Sequence, residues 1–241
     1  MRVLDISFAL PEENLAFDEV LLNAIEAGEA EDTLRFWESP SFFVVLGVAQ
    51  AMRQEADAAS CLRDGVPIHR RCSAGGAVVQ GPGCLNFSLV LALEHNRHIQ
   101  TIRSSYCYIL GAIAAVFNAR RVPVRIEGIS DLAVDGLKVS GNSQRRRKRS
   151  ILHHGTLLYQ LESRAVARYL KEPCKRPAYR GLRVHQQFMG RLPLDAVALR
   201  QVVREAFGAD GCGDVPAVAE LDAMRLLVEE KYRCKDWIHR R

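Results

Sequence analysis

The length, composition and charge of this chain exclude several classes of protein. Its 241 residues, 48% hydrophobic and 25% charged with a net charge of +5, can bury one substantial core, as in an ordinary soluble globular protein. No apolar run approaches the ~20 residues of a membrane-spanning helix, and Asp5 interrupts the start, so we expect no membrane association and no secretory signal. Seven cysteines without a CxxC pair argue against a disulfide framework and a zinc site, which favours the reducing cytoplasm.

Periodicity and turn residues predict strands and helices in chain order. The first helix begins at Pro11 and ends before Gly28, and the longest spans 100–120. Four consecutive strand-like segments follow, so the centre of the sheet should be largely antiparallel. We predict an α+β fold with a mixed, largely antiparallel sheet and flanking helices, in one domain over 1–241, of which about 195–241 form a helical appendage. The predicted strands are 2–8, 33–38, 42–46, 66–71, 86–93, 122–127, 131–134, 137–143 and 151–159, and the other helices are 54–63, 164–170, 195–207 and 217–232.

Two adjacent arginines, Arg70 and Arg71, lead into a run of small residues that contains Gly75 and Gly76. Guanidinium groups match the geometry of carboxylate and phosphate oxygens, and glycines let backbone N–H groups approach an anion. The segment therefore indicates a pocket for an anionic small molecule, although Gly-Gly before a strand is equally typical of a tight turn. It is neither a dinucleotide fingerprint nor a phosphate loop, because the glycine spacings do not match.

Residues 131–140 predict a β-hairpin around an Asp-Gly turn. Alternation places an apolar face on one side and, on the other, Lys138 in a small recess beside Ala133 and diagonal to Asp131. The alternative is a solvated outer face. The recess is favoured because another strand follows, in which Gly155 allows a close backbone approach. The predicted facing pairs are Val134–Leu137, Ala133–Lys138, Leu132–Val139 and Asp131–Ser140.

Three short motifs hold the most specific functional signal. They are Arg-Arg-x-Ser-x-Gly-Gly-Ala-Val from Arg70, Asp-Leu-x-Val-x-Gly-x-Lys-Val-Ser-Gly-Asn from Asp131, and His-His-Gly-Thr-Leu-Leu from His153. In this order and at this spacing they resemble the lipoate–protein ligase family, which is related in fold to biotin–protein ligases and octanoyltransferases. The resemblance covers nearly the whole chain and implies that family's catalytic-domain fold. The C-terminal accessory domain of typical bacterial ligases is expected to be absent.

The resemblance implies a reaction in two halves. Lipoate or octanoate and ATP give an acyl-adenylate and pyrophosphate, and a lysine of an acceptor protein domain then takes the acyl group. Lys138 is implied as the catalytic point charge between carboxyl and phosphate, and Arg71 as a phosphate ligand. Asp131 is implied to hold magnesium or the adenylate. The other implied contacts with substrate and ATP are Ser73, Gly75, Gly76, Ala77, Val78, Val79, Ser140, Gly141, His154, Gly155 and Thr156.

Residues around these motifs have two interpretations. Val78, Leu85 and Phe87 either form an apolar sleeve for the acyl chain or belong to the core. His153 and His154 are neighbours on a strand and therefore point to opposite faces, which makes a shared metal ion unfavourable. We expect a structural role for His153 and consider either a structural or a pocket role for His154.

A transferase that acts without ATP is the alternative function, because octanoyltransferases of related fold use a cysteine. In one group this cysteine lies just before the segment that resembles Asp131 onward, and here 122–130 contain none. In the other group it follows the His-Gly strand, roughly where Cys174 lies. A non-catalytic lipoate-binding protein is the second alternative.

The basic run Arg145–Arg149 predicts a solvated hairpin loop beside the pocket. Its charge suits an acidic acceptor domain or phosphates, and no aromatic residues interleave it as single-strand binding would require. The expected partners are therefore a lipoyl-acceptor domain and, from the resemblance, a separate accessory ligase subunit. Nucleic acid is not expected.

Overall fold

The computed structural model describes residues 1–211 and 213–240, so Cys212 and the last residue of the predicted domain lie outside the described residues. The strands are β1 (Arg2–Asp5), β2 (Thr33–Trp37), β3 (Phe43–Leu46), β4 (Ile68–Arg70), β5 (Val78–Gln80), β6 (Cys84–Ala92), β7 (Val124–Glu127), β8 (Asp131–Val134), β9 (Leu137–Arg146) and β10 (Ser150–Leu158). The helices are α1 (Pro11–Ala27), α2 (Met52–Glu55), α3 (Ala58–Asp64), α4 (Ile102–Ala119), α5 (Ser163–Tyr169), α6 (His185–Phe188), α7 (Ala196–Ala206), α8 (Val218–Leu227) and α9 (Lys235–His239), with a π-helical turn at Val228–Tyr232.

A seven-stranded sheet forms the centre of the fold, in the order β1-β2-β6-β10-β9-β8-β7. Its strands pair antiparallel except for β1 with β2. A smaller sheet in the order β4-β3-β5 lies beside it, with β3 and β4 parallel. The prediction of a mixed, largely antiparallel sheet with flanking helices is confirmed.

Helices cover both faces of the large sheet, and the alternation along β6 shows how the sequence divides them. Leu85, Phe87 and Leu89 point into the core beneath α4 and α7, whereas Val90 packs on the other face with α1, α8 and the π-helical turn. Side chains of opposite parity in a strand face opposite sides of the sheet. Ser88 therefore lies on the α1 face, buried where one expects apolar side chains. This buried polar side chain lies on the same face of the sheet as the candidate active site.

The hairpin of β8 and β9 is confirmed in its turn and its first two pairs. Val134 pairs with Leu137 and Ala133 with Lys138 as predicted, but a bulge between Leu132 and Ala133 then shifts the register. The predicted pairs Leu132–Val139 and Asp131–Ser140 are therefore wrong. The observed pairs are Leu132–Ser140 and Asp131–Gly141.

The predicted basic hairpin loop is present only at 147–149, between β9 and β10, and its predicted position beside the pocket is wrong. Arg145 and Arg146 belong to β9, and Arg146 donates through Nη2 to the carbonyls of Ile99 and Gln100 at 2.8 and 2.9 Å. The run begins near the far end of β9, seven residues beyond Lys138, which corresponds to about 23 Å of strand. The pattern missed this because basic side chains that satisfy carbonyls of another segment look the same in sequence as solvated ones.

Two predicted helices differ from the observed ones because the backbone geometry changes within each of them. The helix predicted at 54–63 is two short helices, α2 and α3, because the chain is extended at Ala56 between them. The helix predicted at 217–232 changes from α-helical to π-helical geometry at Val228. No helix among the described residues is both long and apolar enough to cross a membrane.

Candidate active site

Two adjacent chambers share part of their lining. They lie between the α1 side of the sheet and the segment that follows β10. The larger encloses about 490 Å³ and the narrower about 140 Å³. They share the wall made by Gly75 and Gly76, and Lys138 and Asp131 line both. The predicted anion-binding loop and the predicted hairpin recess therefore meet at one junction.

Lys138 is held at this junction by an ion pair. Its Nζ lies 2.7 Å from Asp131 Oδ1, and the Lys138 side chain retains 24% of its exposure. Tyr179 donates from its hydroxyl to Asp131 Oδ2 at 2.8 Å, and burial together with Asp131 raises the pKa of Tyr179. A Cβ on Gly141 would lie 3.0 Å from Lys138 Nζ, so this glycine leaves the path that the ammonium occupies. Lys138 is thus a fixed, partly solvated positive charge between the chambers.

Arg71 presents a second positive charge to the narrow chamber. Its Nε donates to Ser73 Oγ at 2.9 Å, and its Nη2 donates to the carbonyls of Ala74 and Gly76. Its Nη1 is buried without a hydrogen-bond partner. Burial lowers the pKa of Arg71 to about 10, so the guanidinium remains protonated at neutral pH. An unsatisfied donor on a buried cation is costly unless an anion completes it.

The two adjacent histidines do point to opposite faces of β10. His154 lines the narrow chamber, with Nε2 at 2.6 Å from Ser73 Oγ and Nδ1 at 3.6 Å from Asp18 Oδ2. His153 is fully buried on the other face, stacked on Phe87, and burial lowers its pKa to about 3. His153 is therefore neutral and structural, as predicted, while His154 has the pocket position.

Arg70, the other member of the arginine pair, points away from the chambers. Its guanidinium donates to the carbonyls of Gly47 and Gln50 at 2.7 Å and to those of Trp237, Ile238 and Arg240. Trp237 in turn donates from its indole to the Arg70 carbonyl at 3.0 Å. Arg70 therefore fastens the C-terminal helix to the start of the anion-binding loop.

Comparison with known proteins shows the family. A family model described as the lipoyl protein ligase A/B catalytic domain matches residues 10–194. This chain belongs to that family. A probable lipoate-protein ligase A of Mycoplasma pneumoniae is 31% identical over 165 residues, which are 67% of this chain and 46% of that protein, so the chain spans about half the length of this relative. The octanoyltransferase LipM of Moorella thermoacetica is 27% identical over 270 residues, covering 100% of this chain and 98% of the other.

Solved structures of lipoate ligases share the fold of this family member. A lipoate-protein ligase A with bound ATP superposes with a TM-score of 0.85 at 21% identity, covering 99% of this chain and 98% of the other. A bipartite lipoate protein ligase from Thermoplasma acidophilum gives 0.84 at 20% identity, covering 99% and 95%. At these identities the likeness establishes the fold alone.

Most residues that the family resemblance implied surround the two chambers. Ser73 does not line them, but it contacts both Arg71 and His154. Ser140 is fully buried away from the chambers and accepts a hydrogen bond from Asn142 Nδ2. The interpretation of Leu85 and Phe87 as an apolar sleeve is wrong, because both lie in the core beneath α4. The lining residues are Arg71, Gly75, Gly76, Ala77, Val78, Val79, Asp131, Lys138, Gly141, His154, Gly155 and Thr156.

Several lining residues had no sequence signal. Trp37 and Leu15 form apolar walls of the narrow chamber, and Lys171 and Phe188 line the larger one. Asp18 lines neither chamber, but it lies in the middle of α1, is 2% exposed and faces His154. The sequence pattern of these elements does not reveal which side chains reach the cavity.

The geometry does not support a metal site at Asp131. Its two carboxylate oxygens are engaged by Lys138 Nζ and the Tyr179 hydroxyl. The described part of the chain contains no group of three or more His, Cys, Asp or Glu that could hold a metal ion. Magnesium usually takes one or two protein carboxylates together with substrate phosphates, and Asp131 has no free oxygen to offer. No step below is routed through a metal.

Proposed function

We propose that this chain activates lipoate or octanoate with ATP to an acyl-adenylate and transfers the acyl group to a lysine of an acceptor protein domain. The observation on which this depends is the placement of two cations at one junction. Lys138 lines both chambers, and the guanidinium of Arg71, which keeps one nitrogen without a hydrogen-bond partner, belongs to a residue that lines the narrow one. A carboxylate that attacks an α-phosphate brings two anions together, and fixed positive charge lowers that barrier.

The two chambers differ in the chemistry of their walls. Leu15, Trp37, Val45 and Val78 give the narrow chamber an apolar end suited to an acyl chain. The larger chamber has cationic side chains suited to phosphates, together with apolar side chains on which a base could rest. We assign the acyl chain to the narrow chamber and the nucleotide to the larger one. The cationic lining residues are Lys138, Lys171, Lys175 and Arg180, and the apolar ones include Leu158, Leu161, Val166, Leu170, Phe188 and Met189.

In the proposed first step, a carboxylate oxygen bonds to the α-phosphorus of ATP and pyrophosphate leaves with the electron pair of the broken P–O bond. In the second, the neutral amine of the acceptor lysine attacks the acyl carbon, AMP leaves, and the amine loses a proton. Negative charge accumulates near the acyl–phosphate oxygens in both steps. Lys138 is placed to stabilise that charge as an ammonium, with Asp131 fixing its position.

A cysteine-dependent acyl transfer is the second candidate, and Cys174 is the observation that favours it. Cys174 is exposed and is the one cysteine, among the described residues, that lines either chamber. The relatives also include an octanoyltransferase matched over nearly its full length. Against this, residues 122–130 supply no thiol beside Lys138, and Ser130 lines the narrow chamber instead. Relatives named as ligases and an ATP-bound neighbour support the first proposal.

The decisive experiment measures which co-substrate drives acyl transfer. The purified protein is expected to release pyrophosphate from ATP only with lipoate or octanoate present, with Cys174→Ala equally active. A partner subunit is added in parallel, because a neighbouring structure is a bipartite ligase described with its E2 lipoyl domain. Transfer from an octanoyl carrier protein without ATP, lost in Cys174→Ala, would establish the transferase instead. Binding of lipoate with neither reaction would indicate a binding protein.

From its sequence, the basic run Arg145–Arg149 suited an acidic acceptor domain. From its position in the structure, we expect it to contribute little to acceptor binding. Neutralising exposed Lys148 and Arg149 together as Lys148→Gln and Arg149→Gln is expected to change the KM for the acceptor less than twofold. These residues lie beyond Arg146, about 26 Å along β9 from Lys138, several times the ~8 Å screening length at physiological salt. Acceptor titrations at low and high salt check this. A salt-dependent rise in KM would restore the run as a docking site.

A further inference from the structure

Arg71 is a buried cation without a counterion in the described part of the chain. Its side chain is buried, yet no carboxylate there lies within ion-pair distance of its guanidinium. Its neighbours are neutral: two backbone carbonyls and the hydroxyl of Ser73. Such a cation needs firm positioning if its guanidinium is to remain in place at the chamber wall.

The hydrogen-bond donors and acceptors around Ser73 Oγ show how the guanidinium of Arg71 is held in place. Arg71 Nε can only donate, so Ser73 Oγ accepts at 2.9 Å. The hydroxyl proton of Ser73 then has one acceptor within reach, His154 Nε2 at 2.6 Å. In this arrangement His154 accepts through Nε2, and its ring proton lies on Nδ1. Donation from Ser73 to His154 polarises the hydroxyl and makes its oxygen a stronger acceptor for Arg71.

Asp18 favours that tautomer of His154. Its Oδ2 lies 3.6 Å from His154 Nδ1, too far for a strong hydrogen bond but close enough to attract the proton. Burial alone would raise the pKa of Asp18, but Arg35 at 2.6 Å, the neighbouring His154 and the hydroxyl of Ser88 at 2.7 Å together lower it. Asp18 is therefore an anion held rigidly on the buried face of α1.

We propose that Asp18, His154 and Ser73 are positioning residues that hold the guanidinium of Arg71 in the wall of the narrow chamber, where it binds an oxyanion of the ligand. The order of donors resembles a nucleophilic triad, but Ser73 is fully buried and lines neither chamber, so its hydroxyl does not attack substrate. The inference rests on the proposed function in one respect: the oxyanion is the carboxylate of the acid or the phosphate of the nucleotide.

The test compares charged ligands with neutral counterparts, so that it depends on binding and not on turnover. Calorimetry measures lipoate against lipoamide and ATP against adenosine, for the wild-type protein and for Ser73→Ala. We expect Ser73→Ala to weaken a charged ligand about tenfold while its neutral counterpart binds as before, because the loss of a hydrogen bond to a charged group misplaces Arg71. Selective loss of lipoate identifies the carboxylate as the anion, and selective loss of ATP identifies the phosphates.

Ser105→Ala is the matched control, since it removes another fully buried serine hydroxyl, on α4 beneath the opposite face of the sheet. His154→Leu should reproduce Ser73→Ala, whereas His154→Gln, which keeps an acceptor for the Ser73 proton, should recover much of the affinity. Equal weakening of charged and neutral ligands, or no weakening at all, would overturn the proposal. If lipoate binds selectively but no pyrophosphate is released, the proposed function fails and the positioning inference stands.

Discussion

Replacing Lys138 with alanine is expected to leave the protein folded and to lower the rate of acyl transfer by about 10²–10³. The side chain is partly exposed and its ion pair with Asp131 lies at a solvated cavity wall, so stability should fall by no more than about 1 kcal/mol. The rate should fall far more because the ammonium lies where charge builds up in both proposed steps. Single-turnover transfer, measured beside the thermal midpoint, separates the two effects.

Lys138→Met separates charge from volume, because it keeps the aliphatic stem and removes only the ammonium. We expect it to be as inactive as Lys138→Ala. Lys171→Met makes the same change in the larger chamber, where Lys171 Nζ donates to the Arg53 carbonyl at 2.7 Å rather than to the junction. That variant should retain kcat within a few-fold, and because Lys171 lines the proposed nucleotide chamber its effect should appear in the KM for ATP. Wild-type turnover in either Lys138 variant would show that the junction is not the reaction centre.

The hairpin shows how far pattern reasoning reaches into this site. The Asp-Gly turn predicted the pairing of Ala133 with Lys138, and alternation placed Lys138 near Asp131. The bulge, which makes Gly141 the partner of Asp131, lies beyond such reasoning because strict alternation assumes regular pairing throughout. Opposite this glycine Asp131 can meet Lys138 Nζ, and the predicted partner Ser140 is buried instead. Local sequence thus predicted the right residues with the wrong register between them.

The sequence analysis missed other residues of the site for a different reason. Trp37 and Leu15 reach the narrow chamber from β2 and α1, far in sequence from the three motifs. Tyr179 comes from a segment without apolar periodicity, and only the packed structure brings its hydroxyl to Asp131. Motifs reveal residues grouped along the chain, whereas walls built by distant elements become visible only when the sheet order is known.

Gly47→Ala is expected to impair ligand binding and turnover by about 10² although Gly47 lines neither chamber. Gly47 directly follows β3, and a Cβ there would lie 2.2 Å from the carbonyl oxygen of Gly75. The obstacle is backbone, so the anion-binding loop must shift. Arg71 is bonded to the carbonyls on either side of Gly75, and its free nitrogen would shift with them.

Stability should fall by about 1–3 kcal/mol from the added methyl group, which thermal unfolding measures, while lipoate titration and turnover report the shift of the loop. Gly111→Ala is the control, because a Cβ at that position in α4 meets open space and alanine is the better helix former. It should be as active as the wild type and slightly more stable. Normal lipoate affinity in a folded Gly47→Ala protein would show that the loop tolerates displacement, and that Arg71 does not depend on the position of the loop to bind its anion.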